Sequence, residues 1–404
     1  MEQTFWVADG RPGEDGNGCH RLKSKFDKFD NAIETACLGP DGQAKLIDTG
    51  VSVWRNAYDD HKRPIEWTYF DAAENPVNGP EGAFRVRFGY DVDGNVVETA
   101  YFAPDGKPSF GLNKYHKQIS QFVAGREIRT EYLGVNGKPT VREGYAAIER
   151  GYDAHGNQIK LAYLDADNRP AAQSEGYAIM LSVFDSCGRE IERRFLDEKH
   201  QAVKQEDFGY AIIRKAYDVD NHVSEETYFD AHERPVRLDG GYARLTQSSD
   251  RHGNVVDQRY FDENLEPVRL KNSRYAEIKY RYDDHNAILQ EAYFGDKGEP
   301  VTSQGSARIE YKNDDHGRNV ERAHFGVRGE PVIVHIDDET SFHRAKRKLD
   351  PRGNALELEY FGTDGKPLEV TTNGARCAKI VQRFDAKDEV LDTECYDAAG
   401  HRAQ

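Results

Sequence analysis

The sequence predicts an all-β chain: tandem β-hairpin repeats forming one continuous curled antiparallel sheet, as a solenoid, a spiral or a closed shell. Three observations predict it. An aromatic pair returns about every 32 residues, alternating apolar positions lead into each pair, and turn-forming residues sit at fixed places between. Self-similarity at such a period marks a repeat architecture.

The period is read from the first residue of the pair Tyr101-Phe102. Its counterparts are Phe5, Cys37, Tyr69, Tyr132, Tyr163, Phe195, Tyr228, Tyr260, Tyr293, His324, Tyr360 and Cys395. Steps are 31 to 33 residues until the last two, of 36 and 35. The array therefore covers residues 1–404 as about 12 units, with a partial copy at 1–25 and a terminal repeat at 371–404.

Eleven residues before each marker comes a Tyr-Asp pair or its relic, as in Tyr58-Asp59, Tyr90-Asp91, Tyr152-Asp153 and Tyr282-Asp283; Gln121-Phe122 alone breaks the Asp. The gap of eleven never changes, so insertions fall in the connectors. A segment that admits no change of length has its register fixed by pairing, as a hairpin has. Alternation puts Val97, Thr99 and Tyr101 on one face. The expected register sets Tyr90 opposite Val97, Phe88 opposite Thr99 and Val86 opposite Tyr101. The later copy sets Tyr152 opposite Ile159 and Ile148 opposite Tyr163.

Asp93-Gly94-Asn95 and His155-Gly156-Asn157 supply the positive φ and self-capping side chains of a tight turn. A second turn follows the aromatic pair and carries Pro, as at Pro76, Pro108, Pro139 and Pro170. Since proline cannot donate, it is expected to end the ladder there.

Composition narrows the function. A net charge of −16 argues against nucleic-acid binding, which rests on neutralising phosphates. No run of about 18 apolar residues is present, so no membrane insertion is expected. The N-terminal residues show no basic and apolar leader, which points to the cytoplasm or to a signal-independent export route. The five cysteines, Cys19, Cys37, Cys187, Cys377 and Cys395, form no CxxC or zinc pattern and are expected as reduced thiols, the alternative being a disulfide between remote repeats.

No HExxH, GxSxG or Walker A motif occurs, and Asp207-Phe208-Gly209 is a by-product of the repeat, so neither enzyme activity nor a cofactor is expected. Four features remain. Asp91, Asp93, Asn95 and Glu98 imitate the start of a calcium loop, but turn chemistry explains them without a metal. His61, His155, His252, His285 and His316 share a turn position and are expected as surface residues. Acidic residues three before most markers, including Glu34, Glu66, Glu98, Glu192 and Glu357, form either a carboxylate ladder for a basic partner or the polar face of a strand; the latter is expected. The run His343, Arg344, Lys346, Arg347 and Lys348 is expected as a solvated loop.

The candidate binding row is Tyr69, Tyr101, Tyr132, Tyr163, Tyr228, Tyr260, Tyr293 and Tyr360. An exposed row of tyrosines suits glycans or extended peptides, because each ring offers apolar area with a polar tip. Its parity with Val97 argues instead for core.

The Tyr-Asp-x-x-Gly-Asn phrase, at Tyr90 to Asn95 and Tyr152 to Asn157, resembles the YD (RHS-type) repeats of bacterial proteins. That resemblance implies a β-sheet spiral or shell that encloses or presents a toxin, or serves contact between cells, and brings no catalytic residues. The second half, Tyr-Phe-Asp-x-x-Gly-x-Pro, and the period near 32 depart from the family's usual form. The expected function is a non-enzymatic scaffold for a protein partner or cargo, with a carbohydrate- or envelope-binding module as the alternative.

Overall fold

Each repeat begins with a leading strand and returns on a marker strand. In the third copy these are Arg85–Tyr90 and Val96–Phe102; in the fifth they are Ala147–Tyr152 and Gln158–Leu164. Val, Ile, Thr and aromatic residues fill both, and their alternation suits a pleated, half-buried surface. The computed structural model describes residues 1–7, 11–336, 340–372 and 375–402. Among these there is no helix.

Backbone packing groups the hairpins into two compact units, residues 1–189 with 194–203, and residues 190–193 with 204–404. Inside each unit the hairpins join edge to edge, antiparallel. In the first unit Trp67 pairs with Val86 and Thr99 with Gln118 across neighbouring copies. In the second, Glu226 pairs with Leu245 and Glu291 with Ile309. These marker strands are thus bonded on both sides, by their own leading strand and by the next.

The register follows expectation except at one residue. Phe88 lies opposite Thr99, Val86 opposite Tyr101, and Ile148 opposite Tyr163. Tyr90, however, pairs with Val96 and Tyr152 with Gln158, because a β-bulge intervenes between Gly89 and Tyr90 and between Gly151 and Tyr152. One extra residue on the marker strand bends the ladder and aims the Tyr-Asp tyrosine backward. Its hydroxyl donates to a carbonyl of the preceding hairpin: Tyr90 to Pro64 at 2.7 Å, Tyr152 to Glu127 at 3.0 Å and Tyr282 to Val255 at 2.9 Å. That bond gives the recurring tyrosine a reason phenylalanine lacks.

The proline does not end the ladder. Phe102 forms a bridge with Pro108, and the next residue, Ser109, donates its N–H to the Tyr101 carbonyl at 3.0 Å. Proline occupies the one position where no donor is needed, and the chain makes one further bond beyond it. The tail half-copy from Phe5 to Pro12 shows the matching Trp6–Pro12 bridge, while its turn at 8–10 lies outside the described residues.

The copy without Asp turns differently. Val123 pairs with Arg126 across Ala124 and Gly125, both at positive φ (50° and 74°), as in a two-residue hairpin loop. The two longest steps insert short ribbons in the connectors, Val334–His335 with Ser341–Phe342 and Val370–Thr372 with Ala375–Cys377. Part of each insertion, at 337–339 and 373–374, lies outside the described residues. The basic run around Lys346 is a paired strand, Arg344–Leu349, and not a loop: Arg344 stacks on Phe361, and Lys346 and Lys348 reach Glu321 and Glu357.

Candidate functional site

The tyrosine row is interior. Seven of its eight members, all but the half-buried Tyr163, are only 6–9% exposed. A ring buried to that extent offers no open face, so these seven tyrosines pack the array and do not form a stacking surface for sugars; Tyr163 packs between Tyr145 and Tyr177. Burial raises the phenol pKa of Tyr69, Tyr101, Tyr132, Tyr228, Tyr260 and Tyr293, pushing Tyr132 up to about 12.

What each ring packs against was not read from the sequence. Eighteen residues before most markers stands a second side chain on the same face. The pairs are Tyr145–Tyr163, Tyr177–Phe195, Tyr210–Tyr228, Tyr242–Tyr260 and Tyr275–Tyr293, with ring centroids 4.8–5.1 Å apart. Tyr115–Tyr132, one residue closer in sequence, belongs with them at 4.8 Å, and Phe342–Tyr360 at 5.3 Å. Between successive pairs the spacing is longer, 5.8 Å for Tyr163–Tyr177 and 6.0 Å for Tyr260–Tyr275. The core is a ladder of rungs, one per hairpin. An aromatic pair at this distance adds about 0.5–1.5 kcal/mol beyond its burial.

Val51 and Ala83 stand at the partner position of Tyr69 and Tyr101, and three further rungs use other chemistry at the same positions. Cys19–Cys37 and Cys377–Cys395 are disulfides, each across a separation of 18, with Cα atoms 5.4 and 5.3 Å apart. The expectation of reduced thiols is therefore corrected for four of the five; Cys187 is free and exposed. The third is Ser306–His324, bonded Oγ to Nδ1 at 2.9 Å. His324 is 4% exposed, and burial, with Arg322 and His343 beside it, pushes its pKa down to about 4.

The turn engages Asp91 of the group that imitated a calcium loop, and Glu98 pairs with Lys117 at 3.0 Å. Asp91 Oδ1 accepts the N–H groups of Asp93 and Asn95 at 3.0 and 2.9 Å, and its Oδ2 accepts the Asn95 amide at 2.8 Å. The same clamp recurs at Asp153 and Asp250, and its backbone half at the proline turns, as at Asp165 and Asp230. Hydrogen bonds to the charged form hold these acids below the usual carboxylate range; for Asp91 the Asn95 amide is the main cause. Three residues after the Asp the chain enters the left-handed region, at Gly94 (φ 89°), Asn286 (63°) and Lys62 (63°).

The five turn histidines are exposed. Among the described residues, no group of three or more His, Cys, Asp or Glu is arranged to hold a metal ion.

The opposite face carries charge. The acidic row pairs across neighbouring hairpins: Glu34 with Arg55 at 2.8 Å, Glu66 with Arg87 at 2.8 Å, and Glu192 with Arg214 at 2.7 Å. Glu357 lies between Lys348 and Lys379, which hold its pKa at about 2. The arginines also cover the second aromatic of the pair, Arg55 over Phe70 at 4.4 Å and Arg214 over Phe229 at 4.6 Å. This is the polar face of the strand, neutralised from within.

These features define a class: an all-β array of consecutive antiparallel hairpins with an internal rung per copy and two turns, most of them capped by aspartate. No protein-family model matches the chain, and no curated protein matches it. Among solved structures it is similar to the Tc holotoxin pore of Photorhabdus luminescens, at 10% identity and a TM-score of 0.33, over 94% of this chain and 18% of that one. It is also similar to TcdB2-TccC3, at 12% identity and a TM-score of 0.37, over 100% of this chain and 22% of that one. The chain thus spans about a fifth of the length of the solved chains it matches.

Proposed function

We propose that the chain is a YD/RHS-type bacterial repeat serving as a non-enzymatic scaffold that holds a protein partner or cargo. The Tyr-Asp phrase supports the family reading, because each of its residues has a use that the hairpin defines. The tyrosine ties one copy to the copy before it, the aspartate caps the turn, and glycine supplies the positive φ. The single observation that favours a scaffold is where the polar groups go. Turn carboxylates bond to their own backbone, and strand carboxylates pair with arginines of adjacent copies. Groups engaged this way build a stiff repeated surface and are not poised for proton transfer or nucleophilic attack.

The net charge of −16 makes a basic partner surface the natural complement. The test is tagged purification from the native host at low salt and at about 0.5 M salt, where charge pairs beyond a few ångströms are screened. The scaffold reading expects a partner in fixed stoichiometry, released at high salt. A chain that purifies alone under both conditions, or that turns over a substrate in an unbiased hydrolase and transferase panel, overturns it.

A further inference from the structure

Two hollows stand out. One, near Glu357, Lys379 and Tyr396, has its charges already spent: Lys379 bridges Glu357 and Glu359. The other lies on one face of the second hairpin and is different in kind. Trp54, Asn56 and Tyr58 alternate along its leading strand, and Trp67 and Tyr69 along its marker strand; Asn17 reaches in from a preceding loop. The cavity measures about 440 Å³, within the range of small-ligand sites, about 300–1,000 Å³.

The other copies serve as internal controls. At the Trp54 position, fifteen before the marker, most of them carry an aliphatic residue, such as Val86, Ile148, Ile213 or Ile309. At the Trp67 position, two before the marker, none is aromatic: Thr99, Leu161 and Glu226 are examples. The hairpin elsewhere forms without indoles; here Trp67 also packs edge to face on Phe88 of the next hairpin, with ring centroids 4.6 Å apart. In this copy Val51 also stands where the rung usually holds tyrosine, which leaves room beside Tyr69. Both indoles are half-buried, so part of each ring faces the cavity.

The lining is neutral. No charged residue borders the cavity, in a chain of which 31% is charged. What remains is apolar and aromatic surface with amides at its margin, since the phenols are engaged: Tyr58 donates to the Ala32 carbonyl at 3.1 Å and Tyr69 to Glu81 at 2.7 Å. Asn56 uses its Nδ2 on the Ala32 carbonyl at 3.1 Å, which leaves its Oδ1 as an acceptor. Flat aromatic faces match the C–H faces of a pyranose ring, and neutral amides match its hydroxyls. A charged ligand would find no counter-ion in the lining, and a purely apolar one would leave Asn56 Oδ1 unpaired at a cost.

From this we infer that the Trp54–Trp67 cavity binds a neutral saccharide, one to two sugar rings of an oligosaccharide. The aromatic-ladder version of glycan binding fails because those tyrosines are buried; this site borders the ladder only at Val51 and Tyr69 and is independent of any protein partner.

The test uses the full chain with its three tryptophans, Trp6, Trp54 and Trp67. Indole N–H signals are followed by two-dimensional NMR during titration with neutral gluco-, chito- and manno-oligosaccharides, and separately with a proline-rich peptide. Assignment comes from Trp6→Phe, Trp54→Phe and Trp67→Phe. The inference expects saturable shifts of the Trp54 and Trp67 signals with at least one oligosaccharide, while Trp6 stays put. It also expects at least ten-fold weaker binding for Trp67→Thr, the residue of the neighbouring copy, with an unchanged far-ultraviolet spectrum. If that variant misfolds, the wild-type titration still decides. No saturable shift with any saccharide overturns the inference, and so does saturation by the peptide alone or equal movement of all three indoles.

Discussion

Removing one disulfide rung tests the ladder quantitatively. The Cys377–Cys395 bond closes a loop across a separation of 18 residues, and loop-closure entropy for that length sets its contribution at about 3 kcal/mol. Cys377 is 1% exposed, so Cys377→Ala with Cys395→Ala also sacrifices some packing. Repeat arrays unfold in parts, so a single global transition is the wrong readout. The local one is hydrogen exchange of the Ala378 amide, which lies beside the rung and donates to the Tyr396 carbonyl at 2.8 Å. About 3 kcal/mol corresponds to about two orders of magnitude in protection. A second variant, Cys377→Phe with Cys395→Tyr, installs the aromatic rung of Phe342–Tyr360. If rungs are interchangeable units, it recovers part of the loss. A loss under ten-fold in the double alanine variant, or no recovery by the aromatic one, refutes the reasoning.

Other perturbations separate the remaining contributions. His324 stays neutral in the fold down to about pH 4, while the unfolded chain protonates it near the ordinary histidine value of 6.5. Stability from this group is therefore full above pH 6.5 and is lost as pH falls toward 4, by about 2 kcal/mol at pH 5; denaturation at pH 8 and pH 5 measures it, and His324→Phe should flatten the dependence. Gly106 sits at φ 82°, where an added Cβ meets nothing within 4 Å, so Gly106→Ala isolates the left-handed backbone cost, about 1 kcal/mol by urea denaturation. A double-mutant cycle on Glu66 and Arg87, a half-exposed pair at 2.8 Å, should give a coupling below about 1 kcal/mol that shrinks further in high salt. Tyr260→Ala removes a buried rung ring and should cost about 3–5 kcal/mol locally by hydrogen exchange.

Much of this fold was legible because the hairpin is local. The constant gap of eleven residues fixed the strands, and the pairings of Val86 with Tyr101 and Ile148 with Tyr163 followed from parity. The bulge was not legible, since alternation continues past an inserted residue and only turn geometry reveals it. The proline misled for a related reason: a missing donor matters only where the ladder requires one. The burial of the tyrosine row was half visible, in its shared parity with Val97. The rungs lay in plain sight as a repeated step of eighteen, common to Cys19–Cys37, Tyr242–Tyr260 and Cys377–Cys395. They were missed because one member sits in the connector, where residues around it change from copy to copy. The absence of a CxxC or zinc pattern says nothing against such a pairing, and both cysteine pairs share this step.

The most direct measurement places a new disulfide on an aromatic rung. Tyr242→Cys with Tyr260→Cys copies the eighteen-residue step of the two native bonds, whereas Tyr228→Cys with Tyr242→Cys joins neighbours from successive rungs, whose rings lie 5.9 Å apart against 5.1 Å. Each protein is alkylated without reduction and its intact mass is recorded. The ladder account predicts a third disulfide in the first variant and two additional free thiols in the second. Free thiols in both, or equal cross-linking in both, would contradict the rung as the unit that organises the array.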